Sequence, residues 1–174
     1  GTDSHIKITG NTFTPSDINK DYSINVSYSE NGKTISSSIP VTIKKWPIKM
    51  TASYDNSAVT DHMSTNHIYA TVTYCDGSTA HVPSDKLHLS KDTFSSQEAE
   101  TSQIIPVFYS EYDKTISTNV SVNVKKWLTE LSVSFPNNPI ADSIDTNQLI
   151  ATATYCDGST APVNPSLLTL SRNI

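Results

Sequence analysis

Two cysteines, five histidines and two tryptophans are the residues of this 174-residue chain with the most chemistry to offer. Cys75 and Cys156 each lie in the string Thr-Tyr-Cys-Asp-Gly-Ser-Thr. They are candidate intermolecular thiols, for a disulfide between chains or a thiol anchor, or else small residues that merely fill a loop. Zinc needs several converging ligands of suitable geometry. His62, His67, His81 and His88 have Ser143, Gln148, Pro162 and Thr169 at the matching positions described below, and His5 stands apart, so no ligand set recurs. Calcium wants six to eight oxygens. Asp61 with Asp142, and Asp76 with Asp157, are spaced acids without an Asp-x-Asp run, and turn chemistry accounts for the second pair. No metal and no cofactor is expected. Trp46 and Trp127 each follow two lysines. A tryptophan can stack on a sugar ring or pack where two domains abut, and packing at an inter-repeat junction is the favoured reading. Gly-x-Ser-x-Gly, a phosphate-binding glycine loop and His-Glu-x-x-His are absent, so no enzyme is expected.

The elements that must hold these residues are betrayed by self-comparison. Lys44-Lys45-Trp46 recurs as Lys125-Lys126-Trp127, and Thr73 to Ala80 recurs as Thr154 to Ala161, both at an offset of 81. At that shift 47–93 matches 128–174 at 19 of 47 positions, and 4–46 matches 85–127 at 15 of 43. A third marker, Ile6-Lys7-Ile8-Thr9, Leu87-His88-Leu89-Ser90 and Leu168-Thr169-Leu170-Ser171, fills one repeat position three times. The chain therefore reads as a back half (1–46), a complete repeat (47–126) and the front half of the next (127–174). The alternative frame is two domains, 1–84 and 85–174. Equal positions in successive domains cannot bring two Cα atoms within the roughly 7 Å a disulfide allows, so Cys75 and Cys156 are not expected to pair with each other.

Composition decides the type of element. Val, Ile and Thr total 49 against 19 for Leu, Ala and Met, and β-branched side chains favour a pleated surface over a helix. Apolar residues alternate with Ser, Thr and Asn in Ile24/Val26/Tyr28, Ile39/Val41/Ile43, Ile48/Met50/Ala52/Tyr54, Ile68/Ala70/Val72/Tyr74, Val120/Val122/Val124 and Leu131/Val133/Phe135. That period of two marks antiparallel strands with one dry and one wet face, and almost no helix is expected. Asn31-Gly32 as a two-residue loop pairs Tyr28 with Ile35 and Ile24 with Ile39. At Asp76-Gly77 a two-residue loop would turn Val82 outward. A three-residue loop of Cys75, Asp76 and a left-handed Gly77 pairs Ala70 with Val82 and Val72 with Ala80, and puts Cys75 at an exposed loop tip.

Ala70 to Thr79, ending in Thr-Tyr-Cys-Asp-Gly-Ser-Thr, and Val26 to Thr34, containing Tyr-Ser-Glu-Asn-Gly-Lys-Thr, resemble the two hairpins of bacterial immunoglobulin-like (Big) domains. The resemblance covers nearly the whole chain. It implies immunoglobulin-like β-sandwich repeats in tandem, as in bacterial surface proteins, adhesins, secreted glycosidases or phage virion proteins. Two departures stand out: the cysteines replace a usual Ser or Thr, and Tyr112-Asp113 replaces Asn-Gly.

Charge and hydropathy narrow the setting. With net charge −5 and 12 Lys plus Arg in no basic run, nucleic acid is not an expected partner. The densest apolar stretch, Ile104 to Tyr109, falls far short of the roughly 20 residues that span a bilayer, so no membrane insertion is expected. Starting at Gly1 without a leader, the chain reads as a fragment whose address has been removed. The expected function is a non-enzymatic extracellular spacer, on a bacterial cell surface or phage virion, whose partners are neighbouring repeats. The alternatives are a glycan- or receptor-binding adhesion module and an accessory domain of a secreted enzyme. Half-repeats of about 45 residues cannot bury a core alone. They are therefore expected to complement each other head to tail between chains, unless the shifted frame holds.

Overall fold

The computed structural model describes residues 6–136, 139–140 and 142–172. They form an all-β chain of twelve strands, and their only helices are single 3₁₀ turns. In chain order the strands are β1 (Ile6–Thr9), β2 (Asp21–Glu30), β3 (Lys33–Thr42), β4 (Pro47–Tyr54), β5 (Ile68–Tyr74), β6 (Thr79–Val82), β7 (Leu87–Leu89), β8 (Ser102–Glu111), β9 (Lys114–Asn123), β10 (Leu128–Ser134), β11 (Ile150–Tyr155) and β12 (Thr160–Pro162). They make four three-stranded antiparallel sheets, ordered β1-β2-β3, β4-β5-β6, β7-β8-β9 and β10-β11-β12. That is the make-up of β-sandwich repeats, and the sheets recur in the order that the 81-residue period demands.

Turn chemistry sets the register where it was expected to. Asn31 and Gly32 take φ 47 and 73, so β2 and β3 meet at Glu30 and Lys33, with Tyr28 opposite Ile35 and Ile24 opposite Ile39. Between β5 and β6 the loop has three residues. Gly77 is left-handed at φ 82, Gly77 N–H donates to the Tyr74 carbonyl at 2.9 Å, and Ala70 faces Val82 while Val72 faces Ala80. A β-carbon at Gly77 would meet nothing within 4 Å, so backbone conformation alone calls for glycine there.

One alternation fails. Ile48 is exposed although Met50 is buried, and Pro47 rather than Ile48 turns inward. At the matching place in β10 the register slips between Leu128 and Glu130, leaving Thr129 unpaired. A bulge adds one residue to one strand, and a strict period of two cannot anticipate it.

By compactness the described chain divides into two units. The first takes Gly1–Ala52, Tyr69–His88 and Val107–Thr118; the second takes Ser53–Ile68, Leu89–Pro106 and Asn119–Ile174. In the first unit Ala70, Val72, Val82 and Val107 are at most 1% exposed. Tyr74 Oη donates to Glu111 Oε2 at 2.8 Å and Tyr109 Oη donates to the same oxygen at 2.9 Å, tying the end of β5 to the end of β8. Burial, followed by the bond to Glu111, pushes the Tyr74 phenol well above its ordinary value. In the second unit Val59 and Val124 form a parallel bridge, Lys125 N–H donates to the Val59 carbonyl at 2.6 Å, and Met63 and Phe94 N–H donate to the Asp92 and Asp61 carbonyls at 2.9 Å.

Burial varies along the repeat more than the sequence does. Val59, Met63, Leu87, Ile105 and Val120 are each under 9% exposed. Their partners 81 residues away, Ile140, Ile144, Ile6 and Ile39, are 47, 36, 57 and 50% exposed, and only Ile24, matching Ile105, stays buried.

Candidate functional site

The two motifs that repeat most faithfully are far apart in sequence and meet in space. Lys44-Lys45-Trp46 runs into β4, and the Cys75-Asp76-Gly77 loop caps the β5–β6 hairpin. Cys75 N–H donates to the Trp46 carbonyl at 3.0 Å. Lys45 Nζ lies 4.3 Å from the centre of the Tyr74 ring and donates to Ser78 Oγ at 3.0 Å. Asp76 Oδ1 accepts from Ser78 N–H at 3.0 Å and from Ser78 Oγ at 2.6 Å, which closes the turn. These two Ser78 bonds, and more weakly Lys45, hold the Asp76 carboxyl below its ordinary range.

The cluster is rebuilt one repeat later. Cys156 N–H donates to the Trp127 carbonyl at 2.9 Å; Lys126 Nζ sits 4.4 Å from the Tyr155 ring centre and 2.8 Å from Ser159 Oγ. Asp157 Oδ1 takes Ser159 N–H at 3.0 Å and Ser159 Oγ at 2.6 Å, and Gly158 is left-handed at φ 81. Asp157 is held low for the same reasons as Asp76. A lysine over a tyrosine face gains from the ring quadrupole while its remaining protons find the serine. The lysine and the acid of each cluster thus share one serine, which suits a clamp that closes the hairpin.

The expected site residues divide around this cluster. Trp46 and Trp127 lie in it, half-buried, through their carbonyls. Cys75 and Cys156 are free thiols at the loop position expected, but half-buried rather than fully exposed, because the bond to the tryptophan carbonyl draws each loop's first residue inward. The histidines scatter. His62 Nδ1 is 3.1 Å from Asp61, His81 stacks on Tyr69 with ring centres 4.8 Å apart, and His88 is exposed on β7; His5 lies outside the described residues. Among the described residues no group of three or more His, Cys, Asp or Glu could hold a metal ion. Asp61 accepts from the Thr60 hydroxyl at 3.0 Å, and Asp142 accepts from Ser143 Oγ at 3.4 Å.

Two arrangements escaped the sequence reading. His67 Nδ1 lies 2.9 Å from Asp55 Oδ2 and 3.0 Å from Ser57 Oγ. Acid, histidine and serine meet, but a relay needs the serine on Nε2 while the acid orients Nδ1. Here both contacts end on Nδ1, so acid and serine share one ring nitrogen and the acid–Nδ1, Nε2–serine order of a relay is not made. The second is the Tyr74–Glu111–Tyr109 group. Its signal was in the sequence: Glu111 and Tyr109 have Glu30 and Tyr28 as matches at the repeat offset.

Comparison with known proteins finds no matching family model, no curated relative and no similar solved structure.

Proposed function

We propose that the chain is a stretch of immunoglobulin-like repeats in the frame 1–46, 47–126 and 127–174, serving as a non-enzymatic extracellular spacer on a bacterial surface or virion. The observation that carries this reading is the recurring Lys-Trp-hairpin cluster. The same five contacts are made at 45–78 and at 126–159. The lysine, serine and acid of each cluster bond to one another, as expected of a structural tie. In a repeat array each unit contacts mainly its neighbours, so repeat number sets length and the junction sets stiffness. Ser and Thr, 48 of 174 residues, keep the surface polar with little charge.

The test is small-angle scattering on chains carrying increasing numbers of repeats, paired with a glycan array. A spacer lengthens by a constant increment per repeat and binds nothing on the array. Irregular increments, or specific glycan binding, would overturn it.

One observation favours the adhesion reading instead. Tyr69 is 63% exposed and lies against the His81 ring at an interplanar angle of 25°, a flat aromatic platform of the sort a sugar ring packs on. Array binding that disappears in Tyr69→Ala would select that alternative.

A further inference from the structure

The two end sheets leave apolar faces open to water. On β1-β2-β3 these are Ile6 (57% exposed), Ile35 (70%) and Ile39 (50%); on β10-β11-β12 they are Leu128 (67%), Leu131 (54%) and Val133 (48%). At the matching repeat positions Leu87, Val120 and Met50 are 4, 3 and 4% exposed. Apolar side chains grouped on one open face mark an interaction site. We propose that the two faces are halves of one interface: β10-β11-β12 of one chain receives β1-β2-β3 of a second copy, head to tail. The proposal rests on the repeat frame given above.

The occupant follows from residue matching. Glu111, which takes both tyrosine hydroxyls near the β5 end, corresponds to Glu30, Tyr74 to Tyr155 and Tyr109 to Tyr28. The acid, Glu30, and the donor, Tyr155, thus belong to the first and last sheets of the sequence, each with the right partner on a second copy. The backbone repeats the argument. The Val59–Val124 bridge becomes Ile140–Ile43, and Lys125 N–H to Val59 carbonyl becomes Lys44 N–H to Ile140 carbonyl. Met63 and Phe94 N–H, bonded to Asp92 and Asp61, become Ile144 and Phe13 N–H bonded to Asn11 and Asp142. Ile43 is already held on its other side, since Asn19 N–H donates to its carbonyl and its N–H to Lys20, as Glu100 and Thr101 hold Val124. Like faces paired with like would satisfy none of these matches. A head-to-tail contact is heterologous and does not close on itself, so chains would string into linear oligomers.

Sedimentation velocity on the 174-residue chain tests this. Mass should climb with concentration beyond the dimer. Leu131→Glu blocks one end and Ile39→Glu the other, so each alone should stay monomeric with an unchanged circular dichroism spectrum. An equimolar mixture should give dimers and nothing longer, because each variant keeps the face the other lacks. Tyr155→Phe and Glu30→Gln, which preserve shape, should each weaken association roughly tenfold, the worth of one hydrogen bond to a charged group. A wild-type monomer at every concentration, a Leu131→Glu variant that still dimerises, or a mixture that does not, each overturns the proposal. A monomer whose residues 47–126 still unfold as one unit would leave the repeat reading standing.

Discussion

At the scale of single residues, Asp55 and Gly77 each serve local geometry, and each makes a measurable claim. The Ser57 hydroxyl, then His67, then the Ser57 amide bring the Asp55 carboxyl down from 3.8 to about 2. A carboxyl whose folded value lies below its unfolded one stabilises the fold above the unfolded value, and that contribution fades as pH falls through the folded one. Asp55→Asn should therefore trail the parent in stability at neutral pH and match it below about pH 2. A carbon-detected titration of Asp55 should move up in Ser57→Ala more than in His67→Gln; the reverse order would mean the histidine dominates. For Gly77 the space around the missing side chain is open and φ is 82, so Gly77→Val should cost only backbone strain, about 1–2 kcal/mol. Equal melting temperatures for that variant and the parent would refute the left-handed assignment.

At the scale of elements, hairpins are where the chain was most readable. Turn residues with positive φ leave an unambiguous mark, and a slip of one residue inverts a whole face, so both registers followed from Asn31-Gly32 and Asp76-Gly77. Ile48 and the half-buried cysteines were not readable. A bulge such as that in β10, one repeat on from Pro47 and Ile48, is an insertion without a sequence signature, and the Cys75–Trp46 bond joins backbone atoms whose side chains say nothing about it. Of the candidate site, the sequence exposed its members by repetition but not that they touch, since contact between segments so distant depends on tertiary packing. The β5–β8 connection carries its own prediction. Tyr74 is 6% exposed and donates to a charged acceptor, so Tyr74→Phe should lower unfolding free energy by about 1–2 kcal/mol in a denaturant titration. No change would mean that Tyr109 alone satisfies Glu111.

At the scale of the whole chain, one sequence pattern meets two environments. Val107 is fully buried, while Val26, its match one repeat earlier, is only half-buried. Val107→Ala should cost about 2 kcal/mol for the lost methyl groups and the cavity left behind. Val26→Ala should cost less than half of that in dilute solution and approach the full value as concentration drives head-to-tail pairing. Equal costs at high dilution would show that residue 26 already sits in a finished core.

The hairpin tie also has a mechanical meaning. If the chain serves as a spacer, tension along its backbone would reach Trp46 just before β4 and Trp127 just before β10, where each carbonyl is bonded to a loop amide. Load would divide there, part running on into the strand and part into the hairpin through that bond. Spaced from Trp46 to Trp127, such catches would act as shock absorbers set at the repeat interval, each able to re-form when the pull relaxes.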